Sequence, residues 1–396
     1  MKYTIASLLL LLASIPLVIL LLQRQTDSGP PTVRIAVFNA SLQRADAGQL
    51  LQELRGGGSE QARKIAAIVQ SAAVDVLLVC ELDRDAAAET ARVFANEYLA
   101  VSQQGLPPIE FPYVHADVVN TGEPTGTDVD GDGSSDGPAD AHGFGRFPGH
   151  YGMALFSRHP IVQERVRTFR LLPWRTLPQP LRPDGLGEAA WERLRLSSKS
   201  HWDVPIHVTG QQIHLLCCHP TPPVFDGPED RNGCRNHDEI RFWVDYLTPG
   251  TSEWIVDDRG GRGGLPAGAH FVVLGDLNCD PEDGDGRRDA LRLLLAHPRV
   301  RDPEPRSAGA EEQSKRQWGQ NAAHRGSSAL DTADFEDAPG QGPGNLRVDY
   351  ALPSRSLRTI DAGVFWPQSF EPGADWISAS DHRLVFVDVA QPPAPK

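Results

Sequence analysis

Apolar residues occur along this chain in short runs separated by polar, glycine- and proline-bearing stretches. VRIAVFN (33–39) and VDVLLVCE (74–81) are rich in β-branched residues and nearly unbroken, the pattern of strands covered on both faces. Further strands are predicted at GMALFS (152–157), IHLLCCH (213–219), FVVLGD (271–276), RVDYALP (347–353) and LVFVDV (384–389). Ser59 followed by EQARKIAAIVQSA predicts a capped helix with Ile65, Ile68 and Val69 on one side, and helical patterns recur around 238–247 and 288–295. Strands and helices mix without strict alternation, and no internal repeat is present.

The beginning of the chain has a different character. After Lys2, residues Ile5 to Leu22 form one uncharged apolar run, long for a signal-peptide core and just long enough to span a bilayer. No small-x-small cleavage pattern precedes Gln23-Arg24-Gln25, so an uncleaved anchor is favoured over a cleaved signal, with a buried helix as the bland alternative. Either export reading puts the rest of the chain outside the cytoplasm, secreted, periplasmic or tethered to the membrane. Residues 1–31 are therefore anchor or signal plus linker, 32–390 the folded domain, and 391–396 a Pro/Ala tail. Within the domain, 105–150 reads as an ordered loop insertion rich in Gly, Pro and Asp, and 172–184 and 260–268 read as loops.

A length of 396 residues allows two domains or one large sandwich enzyme, and 40% apolar with 23% charged residues is ordinary globular composition. The formal net charge of -14 argues against gripping nucleic acid by bulk electrostatics. It leaves room for a nuclease in which a metal and a few local cations hold one phosphate. The five cysteines (Cys80, Cys217, Cys218, Cys234, Cys279) match no metal-ligand spacing and read as structural. Cys217 and Cys218, neighbours in one strand, must face opposite sides.

Polar groups recur at the ends of the apolar strands. Asn39 closes the first, Glu81 the second and His219 the IHLLCC run; Asp276 and Asn278 end FVVLGDLN, Asp349 lies in RVDY, and Asp381-His382 precede the last strand. Convergence at one sheet edge would assemble oxygen ligands for a hard cation beside histidines poised near neutrality. Magnesium or manganese suits such carboxylate and amide oxygens, and a cation, a water-orienting base and help for the leaving oxygen are what phosphate ester hydrolysis needs. Taken singly, each of these residues is more often a solvated carboxylate or a satisfied buried polar group.

The ordered series VFN, VCE, strand-final His, GDLN, RVDY and SDH resembles the endonuclease/exonuclease/phosphatase superfamily of DNase I-like nucleases, abasic-site endonucleases, sphingomyelinases and inositol phosphatases. The resemblance covers about residues 32 to 390 and implies an α+β fold, a four-layer α/β/β/α sandwich of two packed mixed β-sheets. It implies that Asn39, Glu81 and Asp381 hold the metal and that His382, oriented by Asp349, activates or orients water. Asp276 and Asn278 would hold the nucleophile and a phosphate oxygen, and His219 would stabilise the pentacovalent charge or protonate the leaving group. Two departures stand out: VFNAS lacks the tryptophan that commonly precedes that asparagine, and Cys279 follows Asn278 directly.

Weaker signals remain. Asp128, Asp130, Asp132 and Asp136 in DVDGDGSSD follow the first half of a calcium loop, but position twelve is Ala139 and no flanking helices are evident. This is similar to short extracellular DxDxDG loops, with a solvated acidic loop as the alternative. Arg235 is a candidate phosphate clamp, and Arg231 suits an internal ion pair better. Lys199 and His201 are further substrate-binding candidates, or simply a polar strand end. Gly56-Gly57-Gly58 lacks the lysine of a phosphate loop and reads as a turn. The function expected is an exported metal-dependent phosphodiesterase with nucleic acid as favoured substrate. A lipid or small-molecule phosphodiesterase on the same fold, and an idle binding scaffold, are the alternatives. A positive groove would favour nucleic acid and exposed aromatics would favour lipid.

Overall fold

The computed structural model describes residues 31–391. The apolar run at 5–22 lies outside them; among the described residues no helix is long and apolar enough to cross a membrane. The strands are β1 (Thr32–Leu42), β2 (Val76–Leu82), β3 (Tyr113–His115), β4 (Met153–Ser157), β5 (Arg167–Thr168), β6 (His201–Val208), β7 (Gln211–Cys218), β8 (His270–Asp276), β9 (Ala333–Asp334), β10 (Asn345–Leu346), β11 (Asp349–Pro353), β12 (Thr359–Val364) and β13 (Val385–Ala390). The helices are α1 (Gln49–Leu54), α2 (Glu60–Ser71), α3 (Glu89–Phe94), α4 (Glu188–Arg193), α5 (Arg231–Leu247), α6 (Asp289–Leu295) and α7 (Ala308–Gln317).

Two mixed sheets face each other, one ordered β12-β13-β1-β2-β4-β3 and the other β11-β8-β7-β6-β5. Strand parity explains why both are covered twice. In β1, Val33, Ile35 and Val37 point inward with Trp202, Val204, Leu215 and Val272 of the second sheet. Ala36 and Phe38 point outward, onto Ile65 and Ile68 of α2. In the second sheet Leu216, Phe271, Val273 and Tyr350 point outward onto Ile240, Phe242 and Trp243 of α5. Three apolar layers thus separate four structural layers, the α/β/β/α sandwich. A one-residue register slip in any central strand would exchange its two faces, so the period of two locks the pairing. Cys217 falls in the central layer and Cys218 in the outer one, and all five cysteines are buried and unpaired.

Helix α2 starts where expected, with the Ser59 hydroxyl accepting from Ala62 N. Other elements differ from the pattern reading. Helix α5 starts at Arg231, well before the 238 suggested by periodicity, because its first turns carry polar residues that are buried by their surroundings. Strand β6 escapes the apolar-run criterion through Pro205. Its carbonyl accepts from Val162 N on the side away from β7, so the missing N–H also faces that edge and no β6–β7 bond is lost. Residues 105–150 contain β3 and bridges Thr121–Gly143 and Pro124–Ala141, which tie the segment to itself.

Candidate active site

Parallel β1–β2 and β7–β8 bring four strand ends to one edge, with Asn39 beside Cys80 and Cys218 beside Gly275. Antiparallel β8–β11 sets Asp276 directly across from Asp349. At Gly275 a Cβ would collide with the Cys218 carbonyl, so the glycine of GDLN permits the close strand approach. Between Asn39 and Leu42 the β1–β2 register shifts, with two β1 residues against Glu81 alone. Ser41 (φ 47) and Glu81 (φ 58) occupy this bulge in left-handed backbone, which re-aims Glu81 away from the layer its parity would assign.

Asp276 Oδ2 is the centre of the arrangement. Asn39 Nδ2 donates to it at 3.0 Å, His219 Nε2 lies at 3.5 Å and His382 Nε2 at 3.7 Å. Asp276 Oδ1 accepts from Asn278 N at 2.9 Å. His382 Nδ1 donates to Asp349 Oδ2 at 2.9 Å, and Thr332 Oγ1 donates to the same oxygen at 2.9 Å. Atoms of Asp276, Asp349 and His382 lie within 4.8 Å of one another. Asp381, exposed at the rim, accepts from Ser41 Oγ at 2.8 Å. Asn278 (φ 50) turns its amide onto the Pro220 carbonyl at 3.1 Å.

Burial pushes the Asp276 carboxyl up to about 6; the His382 charge and the Asn39 bond oppose that rise and neighbouring Asp349 adds to it. Burial likewise pushes Glu81 up, opposed by His382, Asn39 and Lys199. For His382 burial works against the charged form, but Asp349 and Asp276 outweigh it and hold the imidazole up to about 10. This differs from the near-neutral histidine expected from sequence, because two carboxylates flank one ring. Burial, with Lys199 and His382 nearby, holds His219 well below its usual range, so it is neutral at pH 7. Its buried Nδ1 has no partner.

Of the substrate-binding candidates, only Lys199 joins the group: its buried ammonium is depressed by desolvation and supported by the charges of Glu239, Glu81 and Asp276. His201 does not. It is enclosed, its Nε2 is 2.9 Å from the Glu239 carbonyl, and its ring packs on Phe242 and Trp243. Arg235 is also buried, its guanidinium spent on the carbonyls of Leu196, Arg195 and His142 rather than open as a clamp. In the acidic loop, Asp128 and Asp130 meet Asp140, not Asp132 or Asp136. Asp132 accepts from Ser134 N, and Asp140, thirteenth in the loop and buried, accepts from Val129 N at 2.8 Å and Gly137 N at 2.8 Å.

Sequence reasoning missed Glu239 and Thr332. Glu239, fully buried on α5, accepts from Ser198 N (2.6 Å), Ser198 Oγ (3.0 Å) and Thr221 N (2.7 Å), joining the chain before Lys199 to the chain after His219. Asn236, Glu239, Ile240 and Trp243 share one helical face, so a carboxylate within an apolar stripe was the available signal. No sequence pattern marks Thr332. The cavity lined by Arg92, His115, Asp117, Gln163, Thr168 and Asp258 shares no residue with this cluster.

Residues 37–382 match the sequence model of the Endonuclease/Exonuclease/phosphatase family. The chain belongs to that family. Members are metal-dependent phosphoester hydrolases, and this chain is one. A search of curated proteins finds no match. Among solved structures it is similar to an endonuclease/exonuclease/phosphatase from Beutenbergia cavernae DSM 12333, at 18% identity and TM-score 0.50, over 92% of this chain and 72% of that one. It is also similar to sphingomyelinase C from Streptomyces griseocarneus (15%, TM-score 0.46, 90% and 99%). A third is TDP2 from Caenorhabditis elegans (12%, TM-score 0.41, 91% and 74%). At such identities the first of these speaks for the fold alone.

The donors of this Endonuclease/Exonuclease/phosphatase site fit a hard divalent cation. Asn39, Glu81, Asp276 and Asp381 offer oxygen only, and the Cys80 and Cys218 thiols behind them are held protonated by burial. Burial also raises Glu81 and Asp276 together, as expected of carboxylates short of positive charge.

Proposed function

We propose that this protein hydrolyses phosphodiesters outside the cytoplasm by in-line attack of an activated water, with nucleic acid as the substrate. The observation that carries the reading is the three-sided enclosure of Asp276 Oδ2 by Asn39, His219 and His382. A magnesium or manganese ion held by Asn39, Glu81 and Asp381 would supply positive charge against the phosphoryl oxygens. Asp276, raised toward neutrality and steadied by Asn278 N, orients the water and accepts its proton. His382, kept charged by Asp349, holds Nε2 3.7 Å from Asp276 Oδ2, where its charge would lie beside the phosphate attacked by the water on Asp276. Neutral His219 donates a hydrogen bond rather than a proton, and Lys199 adds the nearby cation. The uncharged run from Ile5 to Leu22 supports tethering by an N-terminal anchor.

A lipid substrate is the second reading, favoured by Phe225, 90% exposed and six residues after His219, and by Phe144 at 59%. The test is hydrolysis of DNA, RNA, sphingomyelin, and chromogenic diester and monoester, each with and without chelator, by the parent chain and Glu81→Gln. The expected result is chelator-sensitive cleavage of DNA or RNA, lost in Glu81→Gln because an amide is the poorer ligand for a hard cation. Turnover of sphingomyelin alone would establish the lipid reading, and turnover in chelator would overturn the metal assignment.

A further inference from the structure

Beside the active centre, guanidinium groups gather with no carboxylate in ion-pair contact among the described residues, and Glu239 supports Arg235 only from farther off. Asn120, fully buried in the 105–150 segment, accepts on Oδ1 from Arg195 Nη1 at 2.6 Å and from Arg170 Nη1 at 3.5 Å. Arg193 Nη1 donates only to the Thr125 carbonyl at 3.0 Å. Arg235 lies beneath them on the carbonyls of Leu196, Arg195 and His142. Among the described residues none of these four arginines has an acidic oxygen within ion-pair distance. Glu123 and Asp258 act on Arg195 only from farther off, and both Asp258 oxygens are already taken, by Thr168 Oγ1 and by the N–H groups of Arg170 and Leu171.

In their midst stands His142, 8% exposed, its Nδ1 buried and without a partner. Burial and then the charges of Arg195, Arg235, Arg170 and Arg193 keep its ring unprotonated, at about 3. Arg170 and Arg195 are half-buried and share one amide oxygen with no carboxylate in contact, a costly arrangement unless an anion completes it, and Arg193 stands exposed at its edge. Guanidinium forks suit phosphate oxygens in particular.

The cluster is joined to the active centre by one short piece of chain. Arg195 is four residues before Lys199, whose carbonyl accepts from Asn120 N at 2.9 Å. Four residues span at most about 14 Å. Successive phosphates of one DNA strand recur about every 3.4 Å along the helix axis, so that reach covers the first few beyond the scissile bond. At Gly143 a Cβ would collide with the Ser198 carbonyl, so the segment carrying His142 can lie directly against the 195–199 stretch.

Resting on the nuclease reading above, we propose that Arg170, Arg193 and Arg195, floored by His142 and Asn120, bind a second phosphate of a nucleic acid strand. The net charge of -14 then selects for a local grip rather than a bulk one. Binding of a fluorescent single-stranded oligonucleotide is measured by anisotropy between 50 and 200 mM salt, in chelator so that no cleavage occurs; the salt range is of the order used for counterion analysis. Arg170→Gln/Arg195→Gln should raise Kd at least about tenfold and flatten the log Kd–log salt slope by about 0.7 per lost phosphate contact on a single strand. Arg193→Gln, which gives up only a carbonyl contact, should show a smaller shift of the same sign and covers a failure of the double variant to fold. In cleavage assays, oligonucleotide kcat/KM should fall at least about tenfold more than that of a chromogenic diester having one phosphate. Equal Kd and equal slope in folded variants would overturn the phosphate site while leaving a cleaving parent a nuclease. A parent that hydrolyses the small diester yet neither binds nor cleaves oligonucleotide would overturn the nuclease reading and this site with it.

Discussion

His382 Nδ1 lies 2.9 Å from Asp349 Oδ2 across a separation of thirty-three residues. Thr332 Oγ1 donates to the same oxygen while Oδ1 has no partner, so the carboxylate is turned toward the ring and held there. A carboxylate in that position fixes the tautomer and stabilises the charge, leaving Nε2 to face Asp276. Groups acting as one unit fail as one unit. His382→Ala, Asp349→Ala and the double variant should each lose roughly 10³- to 10⁴-fold in phosphodiester turnover, with the double far short of the product. Kinetics of the three folded variants decide; if the single losses multiply, the residues act independently.

Glu239 is predicted to hold together the two chain segments that flank the site. Its oxygens accept from Ser198 N, Ser198 Oγ and Thr221 N. Removing it leaves two buried N–H groups unmet, so Glu239→Ala should cost about 3 kcal/mol in chemical denaturation with little change in slope. Glu239→Gln sets an amide NH₂ against one of those N–H groups and should recover only part of it. A loss below about 0.5 kcal/mol would show that water replaces the carboxylate.

Calcium should stabilise the 128–140 loop through Asp128, Asp130 and Asp140. Loops of this kind in extracellular proteins bind in the range of roughly 10⁻⁴ to 10⁻³ M, and calcium at ten times Kd would add about 1.4 kcal/mol. Thermal melts of Glu81→Gln, which weakens the catalytic metal site, should rise with calcium, and the added substitution Asp140→Asn should abolish the rise. A calcium response that survives Asp140→Asn places the ion elsewhere.

Asp331 sets a pH dependence of stability. Burial, then Asp280 and Asp283, raise its carboxyl to about 9. A carboxyl whose folded value lies above its unfolded value favours the folded state when protonated. The associated penalty is absent below about pH 4, the unfolded range, and grows as pH rises toward 9. Asp331→Asn should therefore melt higher than the parent at pH 8, with the difference closing as pH falls to 5 and below. A difference that stays constant with pH would mean the residue is not raised.

Much of this protein is determined by short-range sequence pattern. Apolar runs located β1, β2, β4, β7, β8 and β13, and Ser59 located the start of α2, because strand parity and capping act over a few residues. The ordered motifs named Asn39, Glu81, His219, Asp276, Asp349 and His382, because each closes or enters a strand that ends at the same edge. Tertiary structure decided the rest. Burial by other elements made a strand of β6 despite Pro205 and extended α5 to Arg231. It turned Arg235 and His201 into structural groups by enclosing them among carbonyls and aromatic rings. Register across β8–β11 and the β1–β2 bulge set which oxygens meet, and two carboxylates flanking one imidazole raised His382. The arginine cluster around His142 draws on residues 120, 142, 170, 193 and 195. Charge at such separations has no local signature, since its effect depends on distance in space and on the water excluded between the groups.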